Sequence, residues 1–393
     1  MDIALLHNFY RQIGGEYQVF LNERDLLSQK NKVQTLTTNN KISNYKLLCK
    51  FLFGSHWSSR SYHRIKKFLK NNDVGVIHVH NFFPLLSPSV FWGAKELGIA
   101  TVHTLHNYRL IHPGATLMAN GEVDERSIKG SAYECIKDKV YHDSYLQTAV
   151  VAHMIEYHRK KRTWNDKVDR FIALTDFARN KFIEAGLPAH KVSVKPNFIE
   201  DPYNIFPALK RKNNPEGFLF IGRISEEKGI SDLIACWKEY DMDVPLYIIG
   251  DGPLEGKLKK KTETHNNVIW VGRLKKEKVY KWLSKVKALI LPSICFETFG
   301  MALIESLAIG TPVITSNIGS QQSIIKDGKT GLHFEVSNLR DLKEKVDIIN
   351  NNVDLVYELG KNARTDYLEN YTPKKNYEML MNIYQEAIDE NNS

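Results

Sequence analysis

The chain reads as an α/β protein built from two doubly wound domains of parallel sheet. Three observations predict this. Its 393 residues exceed the size at which one hydrophobic core usually keeps growing. Short β-rich runs alternate with longer helical patterns along the whole sequence, the sign of parallel βα units with helices on both faces. The runs number twelve, too many for one small sheet.

In order, the first half supplies the strand patterns DIALL, KVQTLTT, VGVIHVH, ATVHTLH, RFIAL and KVSVKPN, and the second FLFIGR, PLYIIG, VIWVG, ALILPS, TPVITS and GLHFEV. Between Asn197 and Gly217 the periodicity lapses into NFIEDPYNIFPALKRKNNPEG, rich in proline and asparagine with a basic cluster, which marks a domain boundary. The expected domains are therefore 1–197 and 198–370, with 371–393 forming a terminal helix that packs back on the first. Ligands of such sheets bind beyond the carboxyl ends of the strands, so the expected site is a central cleft that the two domains face.

Hydrophobic residues at 42% and charged residues at 25% describe an ordinary globular protein. A formal net charge of +9 points to an acidic partner: nucleic acid, an anionic membrane face or a phosphate-rich ligand. Cys49, Cys135, Cys236 and Cys295 show no paired spacing, against both a disulfide framework and a zinc site, and fit a reducing compartment. The opening MDIALLHNFYRQIGGE has neither a basic leader nor a small-residue cleavage site. No uncharged apolar stretch nears the ~20 residues of a membrane helix. A cytoplasmic protein, able to rest on a membrane, is expected.

Six segments carry candidate chemistry. In ETFGMALIESLAIG, Glu297 and Glu305 flank Gly300, with a helix pattern from about Gly300 to Ile309. Eight residues of helix would rise ~12 Å, about the span from a donor sugar to the ribose of its nucleotide. The N–H groups of Phe299, Gly300 and Met301 would meet an anion at the helix start. Spacing alone also allows Glu305 to be a solvated helix residue and Glu297 an ordinary acid of the cap region. GRISEEKG follows the strand FLFIG and places Arg223 and Lys228 where a diphosphate could be neutralised. RQIGGEYQ offers the backbone of Gly14 and Gly15 between a strand and a helix, either as a phosphate contact or as a tight turn. GDGP is a further glycine turn at a strand end, and VGRL holds Arg273 and Leu274 where a flat base could lie. TLHNYRLIHPG puts His106 and Asn107 just beyond the strand ATVH, where imidazole can bond a sugar hydroxyl. His7, His78, His80 and His103 read as structural. Asp241-Met242-Asp243 has a metal-holding pattern at the wrong end of its strand, and no metal is assigned to it.

Taken in order, GGE, HNYRL, GRISEEKG, GDGP, VGRL and ETFGMALIESLAIGTPVI resemble the retaining glycosyltransferases of family 4, of the polysaccharide-biosynthesis type. These have the GT-B fold of two Rossmann-like domains. The resemblance implies that Glu297 contacts the donor sugar, Glu305 the ribose, and Arg223 with Lys228 the diphosphate. It further implies that Gly15 gives an amide to the phosphates, that Phe299, Gly300 and Met301 contact sugar and phosphate, that Arg273 and Leu274 flank the base, and that His106 reaches the donor sugar. The resemblance also implies that no metal or other cofactor is required. Two departures stand out: Ser323 where relatives often carry glutamate, and His112 where many carry cysteine, which removes support for a cysteine cluster.

The expected reaction is transfer of a sugar, with retained configuration, from a nucleotide-sugar, best read as a UDP-sugar, to a hydroxyl of a glycan or lipid-linked glycan acceptor. The basic, aromatic segments FLFGSHWSSRSYHRIKKFLK and MIEYHRKKRTW would face an anionic membrane or be solvated helix faces. The competing readings are a nucleotide-sugar epimerase of the same fold and a non-catalytic nucleotide binder. Nucleic acid is not expected, because the cations are scattered and form no recognised motif.

Overall fold

The structure, a computed structural model, describes residues 1–10, 14–40 and 44–392. It divides into two compact units, Met1–Asn197 with Asn376–Ser393, and Phe198–Lys375.

The first unit carries β1 (Asp2–Phe9), β2 (Lys32–Asn39), β3 (Val76–Asn81), β4 (Ala100–Thr104), the hairpin strands β5 (Met118–Ala119) and β6 (Glu122–Val123), then β7 (Arg170–Ala173) and β8 (Val192–Val194). Its main sheet has six strands in the order β2-β1-β3-β4-β7-β8, all parallel. Every residue of β3 and β4 is buried, as expected of parallel strands covered by helices on both faces. The apolar residues Ile3, Leu5, Val76, Ala100 and Val102 form one core face with Phe20 and Leu27 of the helix Gly15–Ser28 and with Leu380, Ile383, Tyr384 and Ala387. Those last four belong to the terminal helix Pro373–Asn392. The boundary between the units falls at Asn376, five residues later than the sequence placed it, because the first turn of that helix stays with the second unit.

The second unit carries β9 (Phe218–Ile221), β10 (Leu246–Ile249), β11 (Val268–Trp270), β12 (Ala288–Leu291), β13 (Val313–Ser316) and β14 (Gly331–Phe334), in the order β11-β10-β9-β12-β13-β14. This is the strand order of a dinucleotide-binding sheet, and it reverses between β9 and β12, where the crevice for a ligand opens. In the first unit the order reverses between β1 and β3.

All twelve strands of the two sheets coincide with the alternating runs of the sequence. The hairpin of β5 and β6 does not, since two residues per strand are too few to show a period. Among the described residues no helix is long and apolar enough to cross a membrane. Cys135, Cys236 and Cys295 are free and buried; the side chain of Cys49 lies outside the described part.

Candidate functional site

In the second unit the site is built by two loops that leave β9 and β12 side by side. They touch through backbone. Gly229 has φ 63°, and a Cβ there would stand 1.8 Å from the Pro292 carbonyl oxygen, so only glycine fits. Next to it the Ile294 N–H donates to the Glu227 carbonyl at 3.1 Å. The turn GDGP is equally forced: a Cβ at Gly250 would lie 1.8 Å from the Gly222 carbonyl oxygen, and one at Gly252 2.3 Å from that of Ile224.

This contact brings Lys228 to Glu297, Nζ to Oε2 at 2.8 Å. Burial opposes the charge on Lys228, but the Glu297 carboxylate outweighs it and raises the ammonium's pKa. The other oxygen of Glu297 accepts from the Ser293 hydroxyl and from the Gln321 amide at 3.5 Å. Ser293 and Gln321 had no place in the sequence reading. The available signal was position alone, just past β12 and in the helix Gly319–Ile324 after β13.

The helix after Glu297 is Met301–Ile309, with Gly300 at its N-cap (φ 108°) and no side chain capping it. Glu297 therefore lies in the loop ahead of the helix, and only the turn from Met301 to Glu305 is helical. The spacing of the two glutamates is not a helix rise, because Gly300 breaks the α conformation between them. Phe299 is buried, with its ring 6.3 Å from that of Tyr371. Glu305 is half-buried; burial raises its pKa against the opposing charge of Lys276. Arg223 is exposed on the loop just after β9. Past β11, Arg273 is exposed and 3.4 Å from Asp251, with Leu274 half-buried beside it in sequence. Asp241 and Asp243 precede β10, at the amino end of the sheet.

Gly15 and His106 belong to the first unit. Gly15 opens the helix Gly15–Ser28 and is exposed. His106, two residues past β4, meets His80 of β3, ring nitrogen to ring nitrogen at 3.0 Å. Asn107 caps a short turn through the Arg109 N–H at 3.0 Å and reaches Glu16 at 3.5 Å. Glu16 is a titratable group the sequence reading passed over in favour of the neighbouring glycines. Burial, its largest cause, pushes its pKa to about 8 against the pull of Arg109.

Two clusters have metal-ligating chemistry, Glu23 with His78 and His80, and His112 with Asp124 and Cys135. In the first, the Lys195 ammonium stands 2.6 Å from Glu23, where a cation would sit. In the second, the Gly114 N–H donates to His112 Nδ1 at 3.1 Å. That leaves the ring proton on Nε2, facing Asp124 at 3.4 Å, while Arg126 takes both Asp124 oxygens at 2.7 and 2.8 Å. The second cluster closes on itself by hydrogen bonds. The basic, aromatic segments also separate. In the second of them Met154, Ile155 and Trp164 are buried, and His158 bonds the His56 carbonyl at 2.6 Å, so its apolar residues serve the core. In the first, Phe53 is 78% exposed, beside a groove of about 560 Å³ lined by Trp57, Lys50, Arg60 and Arg64.

Residues 12–201 match the model of Glycosyltransferase Family 4, and residues 203–366 that of Glycosyl transferases group 1. The chain belongs to glycosyltransferase family 4. An uncharacterized glycosyltransferase of Methanocaldococcus jannaschii is 32% identical over 173 residues, 44% of this chain and 48% of that protein. The O-antigen chain mannosyltransferase C of Escherichia coli is 26% identical over 176 residues, 44% and 47% of the two chains. The match thus spans about half the length of these curated relatives. Among solved structures, Anabaena HepE in complex with UDP superposes with a TM-score of 0.66 at 14% identity, covering 97% of this chain and 99% of that one. This family 4 chain has the two Rossmann-like domains of the GT-B fold.

Proposed function

We propose that this family 4 protein is a retaining glycosyltransferase that moves a sugar from a UDP-sugar to a hydroxyl of a glycan or lipid-linked glycan in cell-surface polysaccharide synthesis. The observation that carries the reading is the Lys228–Glu297 pair at 2.8 Å, placed where the second sheet reverses its strand order. A donor's diphosphate entering there would draw the Lys228 ammonium toward its own charge. Glu297, its Oε1 held by Ser293 and Gln321, would then accept from the sugar hydroxyls. The UDP bound by Anabaena HepE and the O-antigen role of the E. coli mannosyltransferase support the choice of donor and product class.

In this reading Arg223 and Lys228 meet the charge of the departing diphosphate in place of a metal ion. Glu305 holds the ribose, Arg273 and Leu274 flank the base, and the backbone of Phe299, Gly300 and Met301 faces the sugar and phosphates. Gly15 adds an amide to the phosphates, and His106 a contact to the sugar. The acceptor hydroxyl attacks on the face the phosphate leaves, and the phosphate takes its proton. Phe53 with Lys50, Arg60 and Arg64 would hold the first unit against an anionic membrane.

The test is a thermal-shift screen of UDP-, GDP- and ADP-sugars, followed by transfer assays on the variants. A UDP-sugar should raise Tm, by ~2.7 kcal/mol of added stability at 100 times Kd. Lys228→Ala and Glu297→Ala should each abolish transfer with the fold retained. Near-normal turnover by either purified variant would sink the assignment.

A further inference from the structure

We propose that a groove in the second unit, at the amino end of its sheet, binds an amphiphile with a single aliphatic chain and a phosphate head. The groove is a separate site from that of Lys228 and Glu297, and its ligand does not depend on the donor assigned there.

The groove has a volume of about 490 Å³, within the roughly 300–1,000 Å³ of small-molecule sites. Glu216 just ahead of β9, Lys287 just ahead of β12 and Gly310 ahead of β13 line it, whereas Lys228 and Glu297 lie past the other ends of β9 and β12. The helix Met301–Ile309 joins the two places: Gly300 caps its start beside Glu297, and Gly310 caps its end in the groove. Its nine residues set the two sites ~13 Å apart. Much of the lining is apolar. Ile309, Ile349 and Val356 are buried, while Val353 and Tyr357 are 56% and 60% exposed. These last two stand four residues apart on the helix Val353–Asn370, so they share one face of it, and that face is open to solvent.

Charge selects the head group. Arg211, Lys212, Lys287, Lys361 and Arg364 all line the groove. Arg364 is matched by Asp201 at 3.0 Å, and Lys212 by Glu216 at 3.0 Å. Among the described residues the other three form no ion pair. Arg211 spends Nη1 on the carbonyls of Leu283 and Val286 at 2.9 and 3.0 Å and on the Thr311 hydroxyl at 2.9 Å, while its Nη2 is buried and bonds nothing. Lys287 donates to the backbone and side-chain oxygens of Asn350 at 2.8 and 2.6 Å. Lys361 is exposed. Burial lowers the pKa of Arg211 to about 10, against the pull of Tyr203 and Tyr357, and lowers that of Lys287 against the pull of Glu216. Two cations have thus been withdrawn from water with neutral partners only, where charge inside a protein is ordinarily paired. A phosphate monoester carries about −1.5 to −2 charges at neutral pH and answers three unmatched cations better than the single charge of a carboxylate. An aliphatic chain behind it would cover Val353 and Tyr357.

The experiment titrates the full chain calorimetrically with dodecyl phosphate, below its micelle concentration and in phosphate-free buffer. One saturable site per chain is expected, with inorganic phosphate and the uncharged dodecyl maltoside each binding at least about tenfold more weakly. Lys361→Glu reverses an exposed charge, and Val353→Ser with Tyr357→Ser strips exposed apolar surface; neither change reaches the core, so both chains should fold with a Tm near that of the wild type. Each should weaken dodecyl phosphate about tenfold or more, while the Tm shift given by UDP stays that of the wild type. Absence of a saturable site, equal affinity for dodecyl maltoside or for inorganic phosphate, or undiminished affinity in both variants would overturn the assignment. So would loss of the UDP shift in the variants, which would make the groove part of the donor site, or a wild type that sediments as a dimer and variants that sediment as monomers, which would give the groove to a second copy of the chain. A UDP shift missing from the wild type as well would count against the donor reading alone.

Discussion

Glu16 shows what burial does to a single acid at a sheet mouth. It follows Gly15 in the first turn of its helix, with Oε1 buried and unpartnered and a pKa pushed to about 8 from 4.5, by burial first. A folded-state pKa above the unfolded one means that the native protein holds the extra proton between pH 4.5 and about 8. Stability therefore falls as pH rises through that window, and the penalty is complete above it. Glu16→Gln should raise stability at pH 8.5 by on the order of 1–3 kcal/mol, after discounting for partial solvent contact, with no gain at pH 4. Melting curves at the two pH values decide it; equal shifts at both would show that the side chain is solvated. The same scale shows what sequence could name. Glu297 and Lys228 were legible because their types and their positions after strands suited a charged ligand. Ser293, Gln321 and Glu16 were not. Each earns its place from a hydrogen bond that only the folded loops close, Ser293 within the loop after β12, Gln321 from the next helix and Glu16 with Asn107 of the loop after β4.

At the scale of elements, glycines decide where the loops after β9 and β12 can go. Gly229 and Gly272 both have positive φ, 63° and 79°, but a Cβ at Gly229 meets the Pro292 carbonyl at 1.8 Å and one at Gly272 meets nothing within 4 Å. Gly272→Ala should cost backbone strain alone, ~1–2 kcal/mol. Gly229→Ala adds a clash with backbone that cannot rotate away, so the loops must part and Lys228 must leave Glu297. Its donor affinity should drop by more than tenfold and its Tm by more than that of Gly272→Ala. Comparable behaviour of the two variants would mean that the loop contact does not hold the pair. The strands themselves were legible because parallel strands buried on both faces read as near-continuous apolar runs. The helix start near Gly300 was legible too, but the helix rise assigned to the whole Glu297–Glu305 interval was not, because φ 108° at Gly300 is invisible to a periodicity count.

At the scale of the whole molecule, the terminal helix Pro373–Asn392 completes the unit that begins at Met1. Its spacing announces a helix, but a period cannot say which sheet the apolar face covers. Here Leu380, Ile383, Tyr384 and Ala387 close the core face over Ile3, Leu5 and Val76, and Arg170 and Lys191 pair with Glu386 and Glu390. Burying the three large side chains is worth ~5–9 kcal/mol, against a total of ~5–15 kcal/mol for an ordinary domain. Loss of the helix also strips Asn376 from Lys195 and the Tyr384 hydroxyl from His78, leaving a buried cation and a buried ring nitrogen short of partners. A chain ending at Thr372 should therefore lose the first unit while keeping the second. Limited proteolysis should cut within residues 1–197 and leave 198–372 protected, and Tyr384→Phe, which removes one hydroxyl, should cost only ~1 kcal/mol. Protection of 1–197 in the truncated chain would show that the sheet holds its fold without the helix, and that the Lys195 and His78 contacts are dispensable to it.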